Sequence, residues 1–139
     1  MSSLVVAEGD TIVIEPTFGS RQVVLLEPAF MSGSGEATIE GRRICVMGDE
    51  KRVELQAEYS IPGYSPGAGI VSVEILDGSQ MAPCVSSGAP LILMGQQFTA
   101  RFTPTVPAVM SSPPNTPDLM EPGIGRGRFV TQQVFVAAA

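Results

Sequence analysis

The side chains of this chain that could do chemistry are two cysteines, Cys45 and Cys84, and a scatter of carboxylates; histidine is absent. That removes the commonest general base and the commonest metal ligand. Two cysteines without histidine cannot complete a tetrahedral Cys/His zinc site in one chain. Cys45 lies between Ile44 and Val46 and reads as a small apolar residue, whereas Cys84 follows Pro83 in a stretch that reads as a loop. The two could form one disulfide, but no spacing demands it. Ser34 sits between Gly33 and Gly35, yet Ser32 occupies the position where a Gly-x-Ser-x-Gly elbow needs glycine, and no histidine exists to activate it. The carboxylate pairs Asp49-Glu50 and Glu54 with Glu58 are poorly placed on strands. Strand neighbours point to opposite faces, and residues four apart are separated by ~13 Å. Phosphate-loop, dinucleotide and calcium-loop patterns are missing as well. The expectation is a chain without catalytic residues, metal or cofactor.

The elements behind these residues repeat. Residues 41–55 read as strand, tight turn, strand: Ile44 to Met47 is apolar, Gly48-Asp49-Glu50-Lys51 is a polar turn, and Val53 and Leu55 resume at period two. The design returns at Leu91 to Met94, Gly95-Gln96-Gln97, then Phe98, Ala100 and Phe102; Met94 lies 47 positions beyond Met47. A shorter copy opens the chain, with Leu4-Val5-Val6 and Thr11 to Ile14 flanking Glu8-Gly9-Asp10.

Between the copies, Val23 to Leu26 is a continuous apolar run of the kind buried on both faces, ended by Pro28. Residues 31–35 read as a flexible connection, and Glu40-Gly41 as a turn. Val53, Leu55 and Ala57 alternate with Glu54, Gln56 and Glu58, which gives a half-exposed strand whose charged row guards an edge. Residues 61–69 read as a loop, Val71, Val73 and Ile75 as a strand, and residues 80–88 as irregular. Six of the twelve prolines fall within 104–122, which excludes helix and central strand there and predicts an extended surface segment. A last strand is expected where Phe129, Thr131 and Gln133 alternate with valines and polar residues; the closing Ala137–Ala139 carries no weight. Helical periodicity is nowhere sustained. The expected fold is all-β, in three parts: a β domain at 1–103, a Pro-rich segment at 104–122, and a C-terminal strand at 123–139 packing on the same domain.

A net charge of −6 argues against nucleic acid or an anionic membrane as partner. The basic pairs Arg42-Arg43 and Arg126-x-Arg128 read as solvated edge charges. The N-terminus shows no signal-peptide pattern, and apolar runs are too short to span a membrane, so the expectation is synthesis in the cytoplasm with reduced thiols.

The segment Glu40-Gly41-Arg42-Arg43-Ile44-Cys45-Val46-Met47-Gly48-Asp49 resembles the signature of PAAR-like proteins: a glycine turn, a basic residue, the Pro-Ala-Ala-Arg strand, a hydrophobic residue and Gly-Asp. Residues 88–95 keep the proline as Pro90, and Gly9-Asp10-Thr11 has the same style. The resemblance covers roughly residues 4–103 and rests on Gly9, Asp10, Gly41, Gly48, Asp49, Pro90 and Gly95. Arg43 to Val46 stand at the four eponymous positions, and the histidines that hold a metal at the apex of typical members are missing. The resemblance implies a compact tapered β-cone or prism of repeated short β-hairpins. It implies a cap on the trimeric spike of a contractile injection apparatus, of the type VI secretion or phage-tail kind, one cap per trimer. Such a cap sharpens the spike, can carry an effector or adaptor, and leaves the cell with the particle. Three Gly-centred units would supply the matching pseudo-threefold symmetry, with Met and aliphatic packing in place of the metal. A non-catalytic β binding module and a baseplate or decoration protein are the competing readings.

Overall fold

A computed structural model describes the backbone of residues 3–86, 89–131 and 137–138, and the side chains of 4–82 and 90–131. It is all-β. In chain order the strands are β1 Ser3–Leu4, β2 Thr11–Ile14, β3 Thr17–Phe18, β4 Arg21–Leu25, β5 Ala29–Phe30, β6 Thr38–Ile39, β7 Arg42–Arg43, β8 Leu55–Ser60, β9 Tyr64–Ser65, β10 Gly67–Ile75, β11 Met81–Ser86, β12 Ala89–Ile92, β13 Phe98–Val106, β14 Val109–Met110, β15 Gly123–Val130 and β16 Ala137–Ala138. Two 3-10 turns, Asp49–Arg52 and Gly78–Gln80, interrupt them.

Eight strands form one antiparallel sheet in the order β3-β4-β8-β10-β13-β15-β2-β5, curled into a half-barrel. Its inner face carries Ile12, Val23, Ala57, Tyr59, Val71, Val73, Phe98, Ala100, Phe102 and Phe129, all buried. Alternation explains this: one residue in two points inward on each strand. Inside, Tyr59 meets Phe102 edge to face at 5.1 Å, and Phe98 lies 5.0 Å from Phe129. These four rings and that of Phe18, all buried, need glycine opposite them. A Cβ on Gly127 would lie 2.5 Å from the Phe98 ring, and one on Gly125 would lie 2.6 Å from the Phe18 ring.

Several expectations change here. The charged row of β8 is solvent-exposed, but the strand pairs with β4 and β10 on its two sides and is no edge. Val23 is buried while Val24 is 64% and Leu26 55% exposed, so β4 has one buried face. Residues 67–69 belong to β10, where Gly67 and Gly69 make room for the Tyr59 and Phe102 rings. Residues 81–86 form β11, paired with β12. Ala137 and Ala138 pair with Leu4 and Ser3. The proline rule fails at Pro104, which is buried inside β13, a central strand. The β15 ladder stops at Phe102 and the β10 ladder shifts register beside Pro104, so its missing N–H falls where pairing is broken. Strand β13 therefore runs across position 103. Of the last predicted strand, Phe129 is in β15, and Gln133 lies outside the described residues.

Candidate functional site: a three-way strand junction

The three apolar runs meet at one place. Val6, Cys45 and Ile92 are each fully buried, and their backbones bond in a cycle. The Val6 N–H donates to Ile92 O at 2.9 Å, Ile92 N–H to Cys45 O at 3.0 Å, and Cys45 N–H to Val6 O at 2.8 Å. A second cycle surrounds the first: Glu8 N–H donates to Arg43 O at 2.7 Å, Met47 N–H to Pro90 O at 2.8 Å, and Met94 N–H to Leu4 O at 2.8 Å. Every donor stands two places after a central residue and every acceptor two places before the next. The bridges Ala7↔Ile44, Val46↔Leu91 and Val5↔Leu93 complete the pattern. The runs thus pair with one another in a triangle, each too short for a long ladder.

The triangle is a layer with two apolar faces. Val6, Cys45 and Ile92 belong to the core of the half-barrel. Val5, Ile44, Val46 and Leu93 turn the other way and form a second cluster with Ile39 and Ala82. On that side lie three two-stranded pairings: β1 with β16, β6 with β7, and β11 with β12. The β6–β7 turn has Glu40 at φ 52 and Gly41 at φ 81, the positive angles of a two-residue type I′ hairpin.

Each run leaves the layer through a glycine at positive φ: Gly9 at 87, Gly48 at 108 and Gly95 at 49. The next residue fixes the turn. Asp10 is buried; its Oδ2 accepts the Ala7 N–H at 2.8 Å, and its Oδ1 accepts from Arg42 at 2.8 Å. Asp49 is buried likewise; its Oδ2 accepts the Val46 N–H at 2.9 Å, and Ser34 and Arg52 donate to its carboxylate. Gln96 takes this place in the third unit and is exposed. There Leu93 N–H goes to Gln80 O at 2.9 Å, and the buried Gln80 amide donates to Met94 O and Gln96 O. The capping box of Asp77 and Gln80 orients that amide.

The seven signature residues therefore separate by role. Gly9, Asp10, Gly48, Asp49 and Gly95 build the three exits, Pro90 supplies an acceptor of the outer cycle, and Gly41 turns a hairpin. Sequence reasoning missed Ser34, Arg42 and Gln80, whose partners lie 15, 32 and 14 positions away. It also missed that Gly33 and Gly35 lie against the Arg43 and Ile44 carbonyls, so the 31–35 stretch is a packed element with Met31 buried.

Chemically the site is quiet. Asp49 and Glu50 lie on a 3-10 turn and both are buried; Glu50 accepts the Gly48 N–H at 2.6 Å. Cys45 is a free thiol that donates to Ser32 O at 3.6 Å. Burial first, then the Asp49 carboxylate, push its pKa up to about 12. A thiol so protonated is a poor nucleophile and a poor metal ligand. The Cys84 side chain lies outside the described residues. Among the described residues, His, Cys, Asp and Glu form no cluster of three that could hold a metal ion.

No curated protein matches the sequence. The family model described as "Contractile injection system spike tip protein" matches residues 1–139, the whole chain, and the chain belongs to that family.

Proposed function

We propose that the chain caps a trimeric spike, one copy per trimer, through the end that carries the three β-pairings. The cyclic hydrogen bonding of the Val6, Cys45 and Ile92 runs supports this reading most directly, because a single chain can meet a threefold partner evenly only by offering three similar elements. The two ends of the molecule are unequal in this respect. Beyond the triangular layer lie the pairings β1–β16, β6–β7 and β11–β12. At the opposite end the connections are residues 15–20, 61–66 and 107–122, and the third is far longer than the others. The end with three β-pairings faces the spike, and the other leads. The action is mechanical, with no turnover: the cap tapers the particle for membrane piercing, departs the cell with it, and offers the 107–122 segment for an effector or adaptor.

The test is co-purification with the spike trimer of the same apparatus, followed by mass determination. One copy per three spike chains is the expected result. A chain that leaves the spike unbound overturns the reading and favours a baseplate or decoration role. Charge reversal at Arg43, exposed on the β6–β7 hairpin, is expected to weaken the complex, while Glu58→Lys on the barrel wall leaves it intact.

A further inference from the structure

The Pro-rich segment crosses one end of the barrel, and among the described residues one side-chain cluster and a few backbone contacts hold it. Residues 111–117 and 119–122 are all exposed, Leu119 at 67%. Short contacts hold its first half: Val109 and Met110 pair with Ser65 and Tyr64, Ser65 Oγ donates to Val109 O at 3.1 Å, and Ser111 N–H donates to Gly63 O. Its second half hangs on Arg21, which is only 7% exposed. The guanidinium donates through Nε and Nη2 to Asp118 Oδ2 at 3.1 and 2.9 Å, through Nη2 to Leu119 O at 2.8 Å, and through Nη1 to Glu121 O at 2.8 Å. It also lies over the rings of Tyr59 and Phe102, at 5.2 and 5.7 Å. Tyr59 ties the halves together. Its hydroxyl donates to Asp118 Oδ2 at 2.9 Å and accepts the Ala108 N–H at 2.8 Å, while Asp118 N–H donates to Ala108 O.

We infer that Arg21, Asp118 and Tyr59 form a latch that closes this end of the barrel, and that the 107–122 strap opens as a unit when the latch breaks, with the barrel still folded. The asymmetry of burial carries the argument. The barrel side of the latch is packed among rings, so Arg21 and Tyr59 are preorganised. The strap side contributes exposed chain and one buried apolar residue, Ala108. Hydrophobic burial gives the strap little hold, and the charge-assisted bonds that replace it are shared by one cation. Ordering sixteen residues against conformational entropy with so few anchors puts the strap at the low end of the local stabilities of the fold. In the spike-tip orientation this is the leading end; that placement alone rests on the functional reading, and the latch does not. A closure of this kind does for the end what a bound metal would do, yet leaves it able to open.

Hydrogen exchange on the whole chain tests this. In the wild type the amides of Ala108, Met110, Ser111 and Asp118 are expected to exchange together, through an opening with a smaller denaturant dependence than that of Val71, Val73 and Phe102 in the sheet. Arg21→Met, which keeps the aliphatic stem over the rings, and Asp118→Asn are each expected to speed the strap amides by about tenfold or more, since charged hydrogen bonds are lost, through an opening that keeps its small denaturant dependence; the sheet amides, which open only once the strap is free, speed up by no more than the same factor. The double variant adds little beyond either single one. Strap amides that open only with the sheet in the wild type overturn the inference, as do variants whose strap amides exchange no faster than the wild type's or take on the denaturant dependence of the sheet. Spike binding is read separately, so loss of one result does not decide the other.

Discussion

Asp10 and Asp49 do the same work in two different units: each follows a glycine at positive φ and accepts the N–H three residues back, of Ala7 at 2.8 Å and of Val46 at 2.9 Å. Both carboxylates are buried and both meet an arginine, Arg42 or Arg52. Asp10→Ala or Asp49→Ala leaves a buried N–H without an acceptor and an arginine without its partner. Each is expected to cost about 2–4 kcal/mol, because orphaned buried groups lose their full hydrogen-bond compensation. Gln96→Ala, at the equivalent place of the third unit, is expected to stay within about 0.5 kcal/mol. Urea denaturation of the three variants checks the ordering. A Gln96→Ala loss as large as the other two would mean that Gln80 does not stand in for the missing carboxylate.

The three exit glycines are not equivalent. A Cβ at Gly48 would meet nothing within 4 Å, so Gly48→Ala carries backbone strain alone, about 1–2 kcal/mol. At Gly95 the Cβ would lie 2.5 Å from Ser79 O and 2.7 Å from the Gln80 side chain. That clash is with backbone and with the one amide that fixes this turn, so Gly95→Ala is expected to be the more destabilising although its φ of 49 is easier for an alanine. Thermal midpoints of the two variants decide it; equal midpoints would show that the 79–80 turn yields.

What the sequence disclosed and what it hid follow one physical line. The glycine exits and the alternation of Val53, Leu55 and Ala57 were legible because they are local: a turn needs positive φ, and a half-buried strand needs period two. All-β character followed from the same signals. The closed cycle among Val6, Cys45 and Ile92 was foreshadowed only as repetition, since no local rule says which run bonds to which. The contact of Arg21 and Tyr59 with Asp118 was not legible, because a latch across 97 positions leaves no spacing to read. Pro104 misled because the proline rule concerns ladder hydrogen bonds, and one strand can hold proline at a point where its ladders shift or stop. At the strap end, aromatic rings and an ion pair, neither of them marked by local spacing, close the barrel.

The Cys45 thiol makes stability fall in alkali. Its pKa stands at 9.0 when unperturbed and at about 12 in the fold, raised by burial first and by Asp49, Asp10 and Glu8 after it. Below about pH 9 both states hold the proton and this group adds no pH dependence. Between pH 9 and 12 the unfolded thiol ionises while the folded one does not, so the unfolded state binds fewer protons and stability declines as pH rises. The slope from one such group is at most about 1.4 kcal/mol per pH unit. Tyr59, whose pKa burial also raises, adds to the decline above pH 10. Cys45→Ala is expected to flatten the curve from pH 9 upward and to leave the Tyr59 part. Denaturation midpoints at pH 7, 9, 10 and 11 measure both; an unchanged slope in Cys45→Ala would place the thiol in contact with water.

Removal of metal is expected to leave the fold untouched. The buried carboxylates near the triangular layer are occupied: Asp10 by Ala7 and Arg42, Asp49 by Val46, Ser34 and Arg52, and Glu50 by Gly48. At the strap end Asp118 Oδ2 accepts from Arg21 and Tyr59 together, an arrangement with a fixed cation already in the place a metal would take. A second cation there would meet the repulsion of a guanidinium held between two rings. Dialysis against EDTA is therefore expected to shift Tm by less than about 1 °C, whereas Arg21→Met lowers it by several degrees, on the scale by which about 1 kcal/mol moves a domain of this size. Elemental analysis of the purified chain supplies the counter-test. Stoichiometric metal, together with a large fall in Tm on chelation, would assign the closure of the barrel to an ion and demote Arg21 to a surface-facing partner of the strap.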